Sequence, residues 1–142
     1  MPSVSDSIRI DRPPTDVFAA LADPRVQITY DGEMMKSVEQ LSPGAIGKGT
    51  RFRGNFKGMG NVEYEYADFG QDGLIEHGVR TPFGSARHRF EFTPEGSGTR
   101  LTQSITVKPN LVGQILWPVL MKRMMSKRAQ TLDRLVKAYV ER

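Results

Sequence analysis

The chain has 142 residues, no cysteine, a formal net charge of +4 and hydrophobic side chains at 38% of its positions. This length predicts a single domain spanning residues 1–142. The lack of cysteine excludes a disulfide framework, a thiolate metal site and a cysteine nucleophile. No segment is as apolar as a signal peptide or a membrane span, so we expect a cytoplasmic protein without stable membrane insertion.

The first elements are a strand and two short helices. The stretch "VSDSIRID" alternates, with Val4, Ile8 and Ile10 on the inward phase. The stretch "RPPTDVFAALADP" predicts a helix with Pro14 at its first position, where the missing N–H costs nothing. A second short helix is expected through about residue 30, with Asp23 as its N-cap.

The middle of the chain changes to a period of two. Each run has one apolar phase and one polar or charged phase, which is typical of an antiparallel sheet with one buried face. Scattered basic residues fall mostly on the polar phase, so no nucleic-acid partner is expected. The predicted strands are "MKSVEQLS", "TRFRGNFKG", "NVEYEYADF", "LIEHGVR", "ARHRFEF" and "RLTQSITV".

The last part of the chain returns to helical spacing. A long helix is predicted from Asn110, with a kink at Pro118. Such a helix can be buried only by lying across the sheet. The apolar stripe assigned to it contains Ile115, Leu116, Val119, Leu120, Met124, Leu132, Leu135, Val136 and Tyr139.

A glycine-rich stretch, "SPGAIGKGTRF" at residues 42–52, suggests a phosphate loop at first sight. A Walker-type loop needs G-x-x-x-x-G-K-[ST] between a strand and a helix, because the helix N-terminus supplies free N–H groups. Here Lys48 lies between two glycines and a strand follows. We therefore interpret the glycines as positive-φ positions in a connection between strands.

The order of elements and four segments resemble a known superfamily. The segments are "IDRPPTDVFAALADP" (10–24), "SVEQLSPGAIGKGTRFR" (37–53), "VEYEYADF" (62–69) and "HRFEFTPEGSGTRLT" (88–102). They resemble the START-like, helix-grip proteins, which include the birch-pollen-allergen-like proteins. Within these, the chain is most similar to the polyketide cyclase/dehydrase and lipid transport family (SRPBCC). Tyr30 stands where many members have tryptophan.

The resemblance implies an α+β fold. A curved antiparallel sheet of about six to seven strands wraps around a long C-terminal helix, and two short helices follow the first strand. A ligand cavity is implied between sheet and helix. The residues support a gap there independently, since a bent sheet and one helix cannot interdigitate everywhere. The alternative is that the aromatic and methionine stripes are ordinary core.

Candidate ligand contacts are the aromatic, soft and polar residues assigned to the inner side. They are Tyr30, Phe52, Phe56, Tyr64, Tyr66, His77, His88, Phe90, Gln103, Trp117, Leu120, Met121 and Met124.

His77 and His88, the only histidines, both fall in an apolar phase. If Arg80 pairs with Ser85, the two imidazoles face each other, whereas a bulged loop would point them to opposite faces. The phases of Val79 and Phe90 favour the first register. Facing imidazoles could bind an anionic or polar ligand group, or exchange a proton near neutral pH. The alternative is a pair of satisfied wall histidines. No third ligand is available for zinc, and neither a metal nor a cofactor is expected.

Three functions follow. The first is binding or transport of a small hydrophobic, lipid-like or polycyclic molecule. The second is a polyketide cyclase or dehydratase using the same cavity, for which His77, His88, Tyr64 or Arg87 could transfer protons. The third is an interaction module whose basic surface, or the helix segment "MKRMMSKR", contacts an acidic protein, RNA or a membrane surface. The sequence selects neither a ligand, a catalytic residue nor an oligomeric state.

Overall fold

The computed structural model describes residues 2–81 and 84–142. Its elements follow the predicted order of one strand, two short helices, six strands and a long C-terminal helical region. They are β1 Ser3–Ile10, α1 Pro14–Ala22, α2 Pro24–Gln27, β2 Met35–Gln40, β3 Arg51–Phe56, β4 Gly60–Gly70, β5 Leu74–Thr81, β6 Gly84–Glu95, β7 Gly98–Pro109, α3 Leu111–Leu116, a π-helical segment Trp117–Met121 and α4 Lys122–Glu141.

The strands form one antiparallel sheet in the order β1-β7-β6-β5-β4-β3-β2. Consecutive strands from β2 to β7 are neighbours, while β1 adds to the far side of β7, so β1 and β2 are the edges. Register shifts interrupt the ladder between Met35 and Ser37 in β2 and between Tyr66 and Asp68 in β4. Such bulges bend a strand and increase its twist.

The short helices begin as the sequence predicts. Pro14 opens α1, and the Asp23 side chain accepts a hydrogen bond of 2.9 Å from the backbone N–H of Arg25 in α2. The helices cover the inner face of the sheet, where Phe18 of α1 contacts Phe69 and Phe92 edge-to-face. These contacts fix one end of the core.

Helix α4 packs chiefly on β1, and also on β7 and α1. Its buried side chains include Ala129, Leu132 and Val136, which join the apolar core of the sheet. The helix therefore covers one side of the inner face. Strands β3 to β5 have no comparable contact with α4 among the described residues.

The predicted interruption at Pro118 is a π-helical segment. Pro118 has no N–H to donate, and the N–H of Lys122 bonds to the carbonyl of Trp117, five residues back. A π turn holds one residue more than an α turn, so the residues before it face a different direction from the one that an uninterrupted α-helix would give them. Ile115, predicted to face the sheet, is consequently exposed. None of the helices in the described residues is both long and apolar enough to cross a membrane.

Candidate functional site

The two histidines meet on the inner face of the sheet. Arg80 pairs with Ser85, so His77 lies directly opposite His88, which confirms the first of the two predicted registers. Their ring centroids are 6.3 Å apart and the rings are nearly perpendicular. Both side chains are half-buried. The hairpin register thus brings the two imidazoles to one place.

Aromatic rings hold both imidazoles. His77 stacks on Tyr66 at 4.7 Å between centroids, and His88 stacks on Phe90 at 4.3 Å. Tyr66 is itself fixed because its hydroxyl donates to the carbonyl of Ala22 at 2.6 Å. The rings cannot turn freely, so their nitrogen atoms point in defined directions.

Burial keeps both imidazoles neutral. It lowers the pKa of His77 to about 3, with a further contribution from His88. It also lowers the pKa of His88 to about 4, against the opposing effect of its hydrogen bond to Gln103. The cationic form of each imidazole is therefore disfavoured near neutral pH, because it would be desolvated.

The hydrogen bonds of Gln103 fix the tautomer of His88. The amide nitrogen of Gln103 donates to the carbonyl of Ala129 at 2.9 Å and to the carboxyl of Asp133. Its oxygen must therefore be the atom that lies 2.7 Å from His88 Nε2, and Nε2 must carry the proton. The other ring nitrogen, Nδ1, is left with a lone pair for a hydrogen-bond donor.

The chain of polar groups continues to Asp133 and Asp6. Burial, followed by a hydrogen bond to Asp6, raises the pKa of Asp133 to about 8, so Asp133 is predominantly protonated at neutral pH. Its Oδ2 has no hydrogen-bond partner in the described part of the chain. A protonated carboxyl carries no charge, which lowers the cost of burying it in the core.

His77 and Tyr64 present unused polar atoms. His77 Nε2 is buried without a partner among the described residues. The Tyr64 ring lies 5.3 Å from the His77 ring, and burial raises its pKa well above the usual value, so its hydroxyl stays protonated. No hydrogen bond of the Tyr64 hydroxyl occurs in the described residues. The His77 nitrogen is shielded from solvent, so neighbouring side chains would have to move before a bound molecule could reach it.

We define the inner-face strip as Phe56, Tyr64, His77, Val79 and His88. Tyr64 is buried, whereas the other four are only half-buried although they lie on the inner phase. This follows from the position of α4 over β1 and β7. The strip is a partly covered apolar surface with polar atoms set into it.

An ion pair ties α4 to the turn after α2 beside this strip. Arg128 donates to both carboxylate oxygens of Asp31, at 2.8 and 2.5 Å. Asp31 is buried, and Gln27 Nε2 donates to it at 3.1 Å. The pair is bidentate and largely removed from water, so it fixes the position of the helix.

Most predicted contact residues belong to the core or border the strip. Phe52, Tyr66 and Phe90 are fully buried, and Gln103 forms the polar connection to α4. Tyr30 instead stacks on Tyr139 at 4.7 Å and donates to the Ala20 carbonyl, so it joins helices.

The predictions for Leu120 and Met124 as ligand contacts need correction. Their exposed fractions are 49% and 54%. The side chains that pack inward in this region are the buried Met121 and Ala129 and the half-buried Met125, which are four residues apart, and Trp117 packs beside them. Leu120 and Met124 each precede one of these positions and face outward.

Sequence reasoning missed four ionisable residues of the site. Asp6 shares the inward phase of Val4 and Ile8, and Asp133 lies four residues after the buried Ala129, so both positions signalled a carboxyl on the inner side. The pairing of Asp31 with Arg128 had no local signal, because the residues are far apart in the chain.

Two of the depressions on the surface of the described residues are open to solvent and have volumes of about 400 Å³ each. One lies beside α1 and the end of α4, and the other lies on the outer side of the π segment and the start of α4. Neither depression is lined by a residue of the sheet.

The glycine-rich loop is a strand connection, as interpreted. Gly44 and Gly49 have φ of 96° and 91°. Two of its N–H groups bond within the protein: Gly49 donates to the carbonyl of Tyr66 at 2.8 Å, and Gly47 donates to the hydroxyl of Thr50 at 2.9 Å. A strand follows the loop, so the loop lacks the helix N-terminus that supplies the donors of a phosphate site. Among described residues, no cluster of three or more His, Cys, Asp or Glu could hold a metal.

Comparisons with solved structures show the same fold. A protein from Thermus thermophilus, TTHA0849, is 22% identical with a TM-score of 0.77, covering 98% of this chain and 97% of that one. Ara h 8.0201 is 13% identical with a TM-score of 0.79, covering 98% and 97%. Zhui aromatase/cyclase from Streptomyces sp. R1128 is 16% identical with a TM-score of 0.79, covering 99% and 94%.

The sequence comparisons give the family. A search of curated proteins gave no match. Residues 1–140 match the family described as polyketide cyclase / dehydrase and lipid transport. This match spans nearly the whole chain, and the fold agrees with it. The chain therefore belongs to the polyketide cyclase / dehydrase and lipid transport family, with the helix-grip fold that its sequence predicted.

Proposed function

We propose that the protein binds a small hydrophobic molecule that carries a hydrogen-bond donor, with the inner-face strip as the contact surface. The observation that carries this proposal is the half-buried His88 ring, whose Nδ1 keeps a lone pair among half-buried apolar side chains. A donor group on a ligand would bond to this nitrogen, and the apolar neighbours would hold the carbon skeleton.

The fixed tautomer of His88 supports a donor on the ligand. Its Nδ1 can only accept, because Gln103 engages the protonated Nε2. A phenolic, enolic or alcoholic hydroxyl fits this requirement, whereas an anionic group does not, since both imidazoles are neutral. Phe56 and Val79 flank the histidines and suit an aromatic or lipid-like skeleton.

A matched pair of probes tests this proposal. Calorimetric titration with 2-naphthol and with 2-methoxynaphthalene compares a hydroxyl with its methyl ether on the same apolar skeleton. We expect 2-naphthol to bind about tenfold more tightly, because the ether cannot donate to His88 Nδ1. His88→Phe should remove this preference while retaining binding of the ether.

Glu63→Gln, on the exposed outer face of β4, is the matched control and should leave both affinities unchanged. Thermal unfolding establishes that each variant is folded. Equal affinity for the two probes, or a hydroxyl preference that survives in His88→Phe, would contradict the proposal. Native mass spectrometry of the purified protein adds a direct search for a co-purifying ligand.

A second candidate function is intramolecular cyclisation of a polyketone. It is favoured by the lone pair on His88 Nδ1 and by the Tyr64 hydroxyl, which adjoins His77. Nδ1 would take a proton from a carbon between two carbonyl groups, and that carbon would attack another carbonyl of the same chain. The proton would return to the resulting alkoxide, and loss of water would follow.

Turnover separates the two functions. Mass spectrometry of a linear poly-β-ketone thioester incubated with the protein should reveal a product lighter by one water if the chain is a cyclase. His88→Gln should then lower the rate about a hundredfold or more, because it removes the base. Binding of the thioester without conversion would leave the carrier function and reject the enzymatic one.

A further inference from the structure

The outer side of the C-terminal helical region carries apolar side chains that the protein does not cover. We define the outer row as Leu111, Val112, Ile115, Leu120 and Met124. Leu111 and Ile115 are the most exposed, at 77% and 75%. Burial of an aliphatic side chain is favourable by about 1.5–3 kcal/mol, so five exposed ones in one region indicate an interaction surface.

The π segment brings these residues into one line. Leu111 and Ile115 are four residues apart on α3, and Leu120 and Met124 are four apart across the start of α4. The step from Ile115 to Leu120 is five residues, which matches the i to i+5 spacing of a π turn. An uninterrupted α-helix would have divided the row between two faces.

The segment that carries the row has charged side chains of one sign only. Residues 96–132 contain no aspartate or glutamate. Lys122, Arg123 and Lys127 are exposed beside Leu120 and Met124. Lys122 and Arg123 also line the depression of about 400 Å³ on this side, together with Pro118 and Ser126. Cationic and hydroxyl groups at such a depression suit a phosphate headgroup.

We propose that the outer row docks on an anionic phospholipid bilayer, lying in the interface without spanning it. The apolar side chains would enter the boundary between headgroups and acyl chains, and the three basic side chains would contact the headgroups. A second copy of this chain is less suitable, because a two-fold contact would oppose like charges. Nucleic acid would use the basic groups but leave the apolar ones exposed.

Vesicle co-sedimentation of the full chain tests the proposal. The probes are phosphatidylcholine vesicles with and without phosphatidylglycerol. We expect binding to the anionic vesicles only, decreasing with added salt. Ile115→Asp should reduce the partition coefficient about tenfold or more, because it places a charge in the apolar row. Lys122→Glu combined with Arg123→Glu should reduce it by a similar factor.

The control is Met59→Asp, which changes an exposed apolar residue in the turn between β3 and β4 and should leave binding unchanged. All these positions are exposed, so the variants should fold, as circular dichroism would verify. The proposal is overturned by equal binding to neutral vesicles, or by variants that bind like the parent. It is also overturned if light scattering shows a dimer that Ile115→Asp dissociates, or if the protein retains RNA and not vesicles.

Discussion

The two ends of the C-terminal helical region use apolar side chains in opposite ways. In the second half of α4, Leu132 and Val136 are fully buried against the sheet and α1. In α3, Leu111 and Ile115 are equally apolar but exposed. The difference lies in what each segment covers, since residue type alone does not distinguish them. One end holds the fold together, and the other is left for a partner.

The largest expected effect is at Leu132. Leu132→Ala should lower the free energy of unfolding by about 3 kcal/mol, because it leaves a cavity in a packed core. Urea denaturation monitored by circular dichroism measures the change. A loss below about 1 kcal/mol would mean that this end of α4 is loosely packed, and the contrast with α3 would fail.

The next effect concerns the ion pair that positions α4. Arg128→Met should cost about 2–3 kcal/mol in unfolding free energy, because Asp31 remains buried with only Gln27 as a side-chain donor among the described residues. Adding Asp31→Asn should recover part of this loss, since no charge then stays unpaired. Lys122→Met, at an exposed position, is the control. Equal losses for Arg128→Met and Lys122→Met would contradict a structural role for the pair.

A smaller change, this time an increase in the free energy of unfolding, is expected for a substitution of Asp133. The folded protein binds this proton up to about pH 8, whereas the unfolded chain releases it near 3.8, so the group lowers stability as pH rises through that interval. Asp133→Asn keeps an acceptor for Gln103 and a donor toward Asp6. It should therefore gain about 1–2 kcal/mol at pH 8 after allowance for screening, with little gain at pH 4.

Thermal unfolding of Asp133→Asn at both pH values measures this difference. Glu63→Gln should show no pH-dependent gain. A gain at pH 4 as large as that at pH 8 would show that the benefit does not come from the ionisation of Asp133.

The smallest stability effect is at the outer row. Ile115→Ser should change the free energy of unfolding by less than about 0.5 kcal/mol, because the side chain has no packing to lose. The same urea denaturation as for Leu132→Ala gives a direct comparison. A loss of about 2 kcal/mol would mean that Ile115 is packed, and the outer row would no longer be a free surface.

The sequence predicted the sheet well because each strand has one apolar phase, and phase determines which face a residue occupies. The phases of Val79 and Phe90 were enough to predict that His77 lies opposite His88, as the strand register shows. The facing of residues in the helical region was harder to predict. A single π turn shifts the helical phase by one residue and is too short to produce a sequence periodicity of its own. Ile115 was misplaced for this reason.

The candidate site was predicted only in its β-sheet part. His77, His88 and Gln103 stand out as polar residues in apolar phases. Their connection to α4 depends on tertiary packing, which brings Ala129 and Asp133 to Gln103. Helix α4 lies over β1 and β7 and leaves the rest of the inner face less covered. No local sequence pattern encodes this position of the helix.

The open sheet has a further consequence for behaviour in concentrated solution. Its edge strand β2 spans only Met35–Gln40, contains a bulge, and exposes Lys36 and Glu39. A short, irregular and charged edge offers few aligned backbone groups for another chain to extend. The other edge, β1, packs along α4 and carries Arg9. Protection from strand-by-strand aggregation is thereby built into a sheet that never closes into a barrel.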